Sequence, residues 1–195
     1  MECVDSTNSE LRRRIDTLDN LSVVAAYEQT SGRGQGTHTW FSSPHTNLMF
    51  SMFFKFTEGT GILLDVKDML LVTEIITLGI RDYLASNGIS SRIKWPNDIW
   101  VADKKICGIL IENILDHERI TDSIVGVGLD VNEQYWPDDL PNPVSMKQLT
   151  GKTYVLEDEL SRLTAHIASR YDEMRTQIGR ERLDYEFREN MFRLP

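Results

Sequence analysis

The sequence is short of cysteine, of long apolar runs and of positive charge, and each shortage excludes something. Its two cysteines, Cys3 and Cys107, lie far apart without a C-x-x-C pair, which argues against a disulfide scaffold and suits a reducing compartment. No apolar run reaches the roughly 18 residues that a membrane helix needs, and the first residues are acidic and polar. Neither a membrane partner nor a secretory signal is expected, and a cytoplasmic location is the default. Lys plus Arg number 21 against 30 Asp plus Glu, a formal net charge of −9. Such a surface repels a phosphate backbone, so a dedicated DNA or RNA binder is not expected. His38, His45, His117 and His166 are scattered, with no H-E-x-x-H and no cysteine at zinc spacing, so no structural metal site is expected. The absence of G-x-S-x-G removes support for a serine acyl-enzyme.

What is present fits one compact α/β domain of 195 residues with 41% hydrophobic side chains. Thr7 and Glu10 have capping-box spacing before Leu11, Ile15 and Leu18, predicting a short amphipathic helix. Residues 22–27 read as a buried strand running into the glycine-rich stretch 29–38, and 47–56 (NLMFSMFFKF), apolar on both alternating faces, as a central strand. Residues 64–84 carry helical periodicity ending at Asn87-Gly88. A strand over 91–95 should stop at Pro96, a hairpin of 99–102 with 105–115 should turn at Asp103-Lys104, and another strand should run from 120 to 131. Three of the six prolines fall in 136–144, which must be irregular. Leu160, Leu163, Ile167, Tyr171, Met174 and Ile178 predict a long helix, with a shorter one holding Leu183 and Phe187 after Gly179. Because the strands come mostly in hairpins, a mixed β-sheet backed by helices is expected rather than a doubly wound one. Exposed strand edges would allow a homodimer.

Three segments can carry chemistry. Gly32-Arg33-Gly34-Gln35-Gly36-Thr37-His38-Thr39-Trp40 fails the dinucleotide fingerprint, because Thr37 stands at the third glycine, and fails the P-loop, because no Gly-Lys-Ser/Thr follows. It reads either as an ordinary hairpin loop or as a loop whose bare amides and Arg33 wrap an anion. Lys94-Trp95-Pro96-Asn97-Asp98 puts an amide and a carboxylate on a stiff turn at a strand end, for ligand contact or for a local Asx-turn. It also opens a basic island, Arg92, Lys94, Lys104 and Lys105, in an otherwise acidic chain, either a meeting place for a small anion or a solvated hairpin. In Gly126-Val127-Gly128-Leu129-Asp130-Val131 the strand period sets Gly126, Gly128 and Asp130 on one face. Interior glycines there suit either something flat lying against the sheet, such as a ligand ring, or the close packing of a helix or a bulge.

Asp5-Ser6-Thr7-Asn8, Gln29 with the Gly32–Gly36 loop and Trp40, Lys94 to Asp98, Lys105 with Gly108, and Gly126-Val127-Gly128 together resemble the biotin protein ligases over roughly residues 4–132. The K-W-P-N-D run preceded by a G-R-G loop is the specific part. The resemblance implies the biotin/lipoate protein ligase fold, related to class II synthetases, over residues 1–195. It further implies ATP-dependent activation of biotin as biotinyl-5′-adenylate, with Mg2+, and transfer to a lysine of a biotin carboxyl carrier domain of acetyl-CoA carboxylase or a related carboxylase. It places Ser6, Thr7, Asn8, Gln29, Gly32, Arg33, Gly34, Gln35, Lys105 and Gly108 around biotin, and Arg33, Trp40, Asn97, Asp98, Lys105 and Asp130 around the nucleotide. Arg33, Lys105 and Asp98 would carry the catalysis, the two cations offsetting the charge of carboxylate and α-phosphate. Asp98 is also a candidate to take the proton of the incoming lysine, whose ordinary pKa is roughly 10.4. A glycine-rich loop that closes over the anhydride would keep water out.

Three departures accompany the resemblance. Gln35 stands where the family often has a second loop arginine. Asp130 stands where it has an asparagine that helps recognise the adenylate, and a carboxylate cannot duplicate both functions of an amide; Asn132 is the nearest substitute. The small C-terminal β-domain of many members is expected to be absent or truncated, and no N-terminal DNA-binding segment is expected before Asp5. Two further readings stay open: a lipoate or octanoate ligase, against which the missing arginine-rich, triple-glycine loop counts, and a biotin-binding module without turnover.

Overall fold

The computed structural model describes residues 1–192. Along the chain run β1 (Cys3–Val4), α1 (Thr7–Arg13), β2 (Val23–Ala26), β3 (Glu28–Gln29), β4 (Leu48–Lys55), β5 (Leu64–Asp65), α2 (Leu70–Ser86) and β6 (Arg92–Lys94). They are followed by β7 (Asp98–Val101), β8 (Lys104–Asp116), β9 (Arg119–Leu129), α3 (Met146–Thr150), α4 (Leu156–Glu173) and α5 (Gln177–Glu189). The seven-stranded sheet has the order β2-β4-β9-β8-β7-β6, with β5 pairing to β9 off that path. Every ladder in it is antiparallel. Among the described strands, parallel pairing is confined to β1 and β3. Strands backed by helices are observed as expected, and pairing of both senses occurs: hairpins dominate the seven strands because the β7–β8 and β8–β9 connections are too short for a crossover, while parallel pairing is found in the separate β1–β3 sheet and in isolated bridges at Ile93–Met191 and Lys105–Pro143.

The sheet is buried on both faces, and β4 shows why its sequence is apolar throughout. Leu48, Phe50, Met52 and Phe54 enter the main core with Ile75, Ile76 and Tyr83 of α2 and Leu163, Ile167 and Tyr171 of α4. Phe53 points the other way, into a smaller cluster with Leu11 of α1, Val24 and Ile124. Each fully buried side chain of this kind contributes roughly 1.5–3 kcal/mol of transfer free energy. At Gly79 of α2 an added Cβ would lie 2.8 Å from the Ile167 Cα, so only glycine lets α2 and α4 approach this closely.

Three local expectations are corrected. The helix expected from residue 64 begins at Leu70: Leu64 and Asp65 pair with Ile120 and Arg119 of β9, and a 3-10 turn follows over Val66–Asp68. Helix α1 has no Thr7–Glu10 capping box. Ser6 is its N-cap, the Thr7 amide donates to Gln29 Oε1 at 2.8 Å, and Glu10 binds Arg13 and Arg14. The long C-terminal helix ends at Glu173; Ile178 belongs to α5 and is largely exposed, and Gly179 lies inside α5 rather than before it. The proline-rich segment is irregular, yet it forms an edge for Lys105, whose amide donates to Asn142 O at 2.8 Å and whose carbonyl accepts from Val144 N at 3.0 Å. The β6 edge is bonded along Ile93 to Asn190 and Phe192. No helix among the described residues is long and apolar enough to cross a membrane.

Candidate active site

Directly paired residues of an antiparallel ladder share a face. Register therefore lines up Asp98, Gly108, Gly128 and Met49 in one row across β7, β8, β9 and β4. The next row is Leu110, Gly126 and Ser51, and the third is Glu112, Ile124 and Phe53. Over the first two rows lies a cavity of about 320 Å³, walled by the start of α1, the 32–40 loop and the Pro96–Asp98 turn.

Glycines make the floor flat, and the flat object on it is the protein's own. The Trp40 indole lies on Gly108 and Gly128: a Cβ at Gly108 would come within 2.7 Å of Trp40 Cζ3, and one at Gly128 within 2.6 Å of Trp40 Nε1. At Gly108 and Gly128 the close neighbour is thus neither a helix nor a bulge but a side chain of the glycine loop. The buried indole N–H has no hydrogen-bond partner among the described residues. Gly126 is bare for a different reason, because the Asn8 amide sits against it.

Each wall is fixed by specific bonds. Gln29 Oε1 accepts from the Thr7 amide and, at 3.2 Å, from the Thr7 hydroxyl. Ser51 Oγ donates to Asn8 Oδ1 at 2.5 Å and lies 2.8 Å from the Thr7 hydroxyl, buried between α1 and β4. Asn97 Nδ2 donates to the Ile109 carbonyl at 2.6 Å, and the Ile109 amide returns a bond to Asn97 O, which clamps the turn onto β8. The Trp95–Pro96 bond is cis. Lys105 Nζ lies 2.7 Å from Asp98 Oδ1 and 5.6 Å from the Trp40 ring centroid. Asp98 Oδ1 is therefore occupied by an ammonium group.

Of the sequence-predicted site residues, Ser6, Thr7, Asn8, Gln29, Arg33 and Gly34 line the cavity. So do Gln35, Trp40, Asn97, Asp98, Lys105 and Gly108. Gly32 does not, facing an adjoining outer hollow of about 570 Å³. Asp130 is also outside it: the residue is buried at the end of β9 and its Oδ1 has no partner among the described residues. Burial, then the negative charge of Glu133, pushes its carboxyl well above the usual range, against a smaller opposing pull from Lys105. Asn132 cannot replace it at the site, since its amide is spent on the Tyr154 backbone at 2.9 and 3.0 Å.

The basic island divides: Arg92 and Lys104 are exposed, while Lys94 packs on an aromatic ring. Lys94 Nζ stands 3.6 Å from the Trp100 ring centroid, and Lys105 is the lysine of the island that reaches the cavity. Arg33 reaches it too, but its guanidinium is bound to Glu112 at 2.8 Å. His38, Thr39, Ile109, Leu110 and Val127 also line the cavity. Register with Gly108 and Gly126 was the signal that could have found Leu110. For His38 and Thr39, their place in the glycine loop was the available signal. Among the described residues no three His, Cys, Asp or Glu side chains converge as a metal cage.

Sequence and fold are shared with known proteins. The model of the biotin/lipoate A/B protein ligase family matches residues 1–130. The bifunctional ligase/repressor BirA of Escherichia coli K12 is 31% identical over 128 residues, which are 66% of this chain and 38% of that protein. Biotin–protein ligase 2 of Arabidopsis thaliana is 31% identical over 135 residues, 67% of this chain and 40% of that one. The chain thus spans about two fifths of the length of these curated relatives. Among solved structures, the Aquifex aeolicus biotin protein ligase in complex with biotin and ATP superposes with a TM-score of 0.82 at 22% identity, over 100% of this chain and 78% of that one. The Leishmania major biotin protein ligase in complex with biotin gives 0.78 at 25% identity, over 100% and 84%. With the family model spanning most of its length and the fold shared throughout, this chain belongs to the biotin/lipoate A/B protein ligase family.

Proposed function

We propose that residues 1–195 act as the catalytic domain of a biotin protein ligase, joining biotin to ATP as biotinyl-5′-adenylate and then to a lysine of a biotin carboxyl carrier domain, as in acetyl-CoA carboxylase or a related carboxylase. The observation that carries this reading is the cavity itself, where Lys105, paired with Asp98, and Arg33 of the glycine loop stand over a glycine floor. A carboxylate does not acylate an amine unaided. In the first step its oxygen would attack the α-phosphorus of ATP, forming a P–O bond as the bond to the β-phosphate breaks and pyrophosphate leaves. Cations at Lys105 and Arg33 oppose the charge that gathers there. In the second step an uncharged lysine amine attacks the anhydride carbonyl, the C–N bond forms, and AMP departs.

The relatives support this choice by name, as biotin protein ligases of bacteria, plants and a protozoan. A carboxylate cage for magnesium is not furnished by the described residues, so the cation expected with ATP would be held by phosphate oxygens and water. The expected absence of DNA binding rests on the net charge of −9, and the ligase/repressor names of the bacterial relatives weigh against it.

Because the family model covers lipoate as well as biotin enzymes, the deciding test is competition between acids. With ATP present, pyrophosphate release should depend on biotin and be indifferent to lipoate and octanoate. Release driven by lipoate or octanoate instead would move the chain to the other branch, and biotin binding without release would make it a binding module.

A further inference from the structure

Residues 32–40 form a loop that bonds mostly to itself: Gly34 N donates to His38 O, His38 N to Gln35 O and Trp40 N to Gly32 O. Among the described residues, one hydrogen bond leaves this loop for the rest of the protein, from Arg33 Nη2 to Glu112 Oε2 at 2.8 Å. The same oxygen accepts from Asn8 Nδ2 at 2.8 Å. The two partners differ in kind. Asn8 is buried, its Oδ1 is taken by Ser51, and it is seated against Gly126. Arg33 is 44% exposed. Glu112 thus connects a fixed wall of the cavity to the loop that covers it. Arg33 borders both the cavity and the outer hollow, whereas Glu112 borders only the hollow, so the carboxylate holds Arg33 from behind.

We propose that Glu112 is a positioning residue, tying the 32–40 loop to the cavity wall through Arg33 and so setting where that loop stands when substrate binds. The tie is independent of the reaction; its consequence for substrate binding rests on the ligase reading. A charge-assisted bond between half-exposed groups is individually modest, but as the loop's outward bond it controls a whole segment.

The test has two arms. Hydrogen exchange of the amides of residues 34, 38 and 40 is measured without ligand in the wild type, Glu112→Gln, Arg33→Ala and the double variant. Each single change should speed exchange about threefold to tenfold, and the double variant should be no faster than the faster single, since both cut one tie. Unchanged exchange in Glu112→Gln, or effects that multiply in the double variant, would overturn the tie. In the second arm, Glu112→Gln should raise the KM for biotin about threefold to tenfold with kcat within about twofold. An active Glu112→Gln with unaltered KM would overturn the link to substrate binding. A wild type that forms no adenylate would defeat the ligase reading and leave the exchange arm to decide the tie.

Discussion

Lys105 and Asp98 show how a side chain's role follows from its neighbours. The 2.7 Å pair is held at both ends by backbone, Asp98 in β7 and Lys105 between β8 and the Asn142–Val144 edge. On the proposed reaction, removing the ammonium deletes charge stabilisation from the reacting centre while the backbone bonds of residue 105 to Asn142 and Val144 remain. Lys105→Ala is predicted to slow biotin-dependent pyrophosphate release by about 10²- to 10³-fold, with a melting temperature within a few degrees of wild type by circular dichroism. Equal turnover in the variant would remove Lys105 from the chemistry. Lys105, Asp98 and Arg33 were placed at the site by the family resemblance rather than by their own local patterns, each of which also had a bland use, and all three line the cavity. Glu112 was not legible. It sits in an alternating strand as a solvent-facing acid would, and its partners Arg33 and Asn8 are 79 and 104 positions away.

At the scale of elements, the glycines of β8 and β9 announced that something flat rests on the sheet, and the alternation of Gly126 and Gly128 showed on which face. The sequence left open whether a ligand or the protein lies there, because the answer depends on how the loop carrying Trp40 folds back. A methyl group at Gly128 would collide with the indole. Gly128→Ala is predicted to displace Trp40, cost about 1–3 kcal/mol by overpacking, and weaken biotin and ATP binding at least about tenfold by calorimetry. Retained affinity would mean that the indole's seat has no part in the site. The misplaced start of α2 has a similar origin. Residues 64–69 keep a helical spacing of apolar positions, yet β9 offers Leu64 and Asp65 a strand partner, and ladder bonds take precedence over local periodicity. Ile178 likewise fits the period of α4 but follows its end at Glu173.

The whole molecule stores two carboxyl groups in the wrong environment for charge. Glu74 of α2 is buried with Oε2 unpaired among the described residues. Burial and then the charge of Asp184 raise its pKa to about 7, against an opposing pull from Arg188. Asp130 is raised for the reasons given above. In both cases the folded state holds the proton more tightly than the unfolded chain. Their contribution is complete at acid pH and is lost as pH rises through the folded values, for Glu74 between 4.5 and about 7. Glu74→Gln should therefore flatten the decline in unfolding free energy across that window, by at most about 3 kcal/mol. Denaturant melts at pH 5 and 7.5 check it, and a slope equal to wild type would contradict the assignment.

Most strands of the sheet and four of the five described α-helices followed from alternation and helical period, and most cavity-lining residues from the family's motifs, whereas the strand order and the short helix Met146–Thr150 did not. Long-range pairings such as Glu112 with Arg33 and Glu74 beneath α5 did not, because they exist only once the chain has closed on itself. Whether this closed site makes an acyl-adenylate from biotin is read by mass analysis of the protein incubated with biotin, ATP and magnesium. Biotinyl-5′-adenylate should appear with pyrophosphate and vanish in Lys105→Ala; a folded wild-type protein that binds both substrates and yields no adenylate would contradict the account.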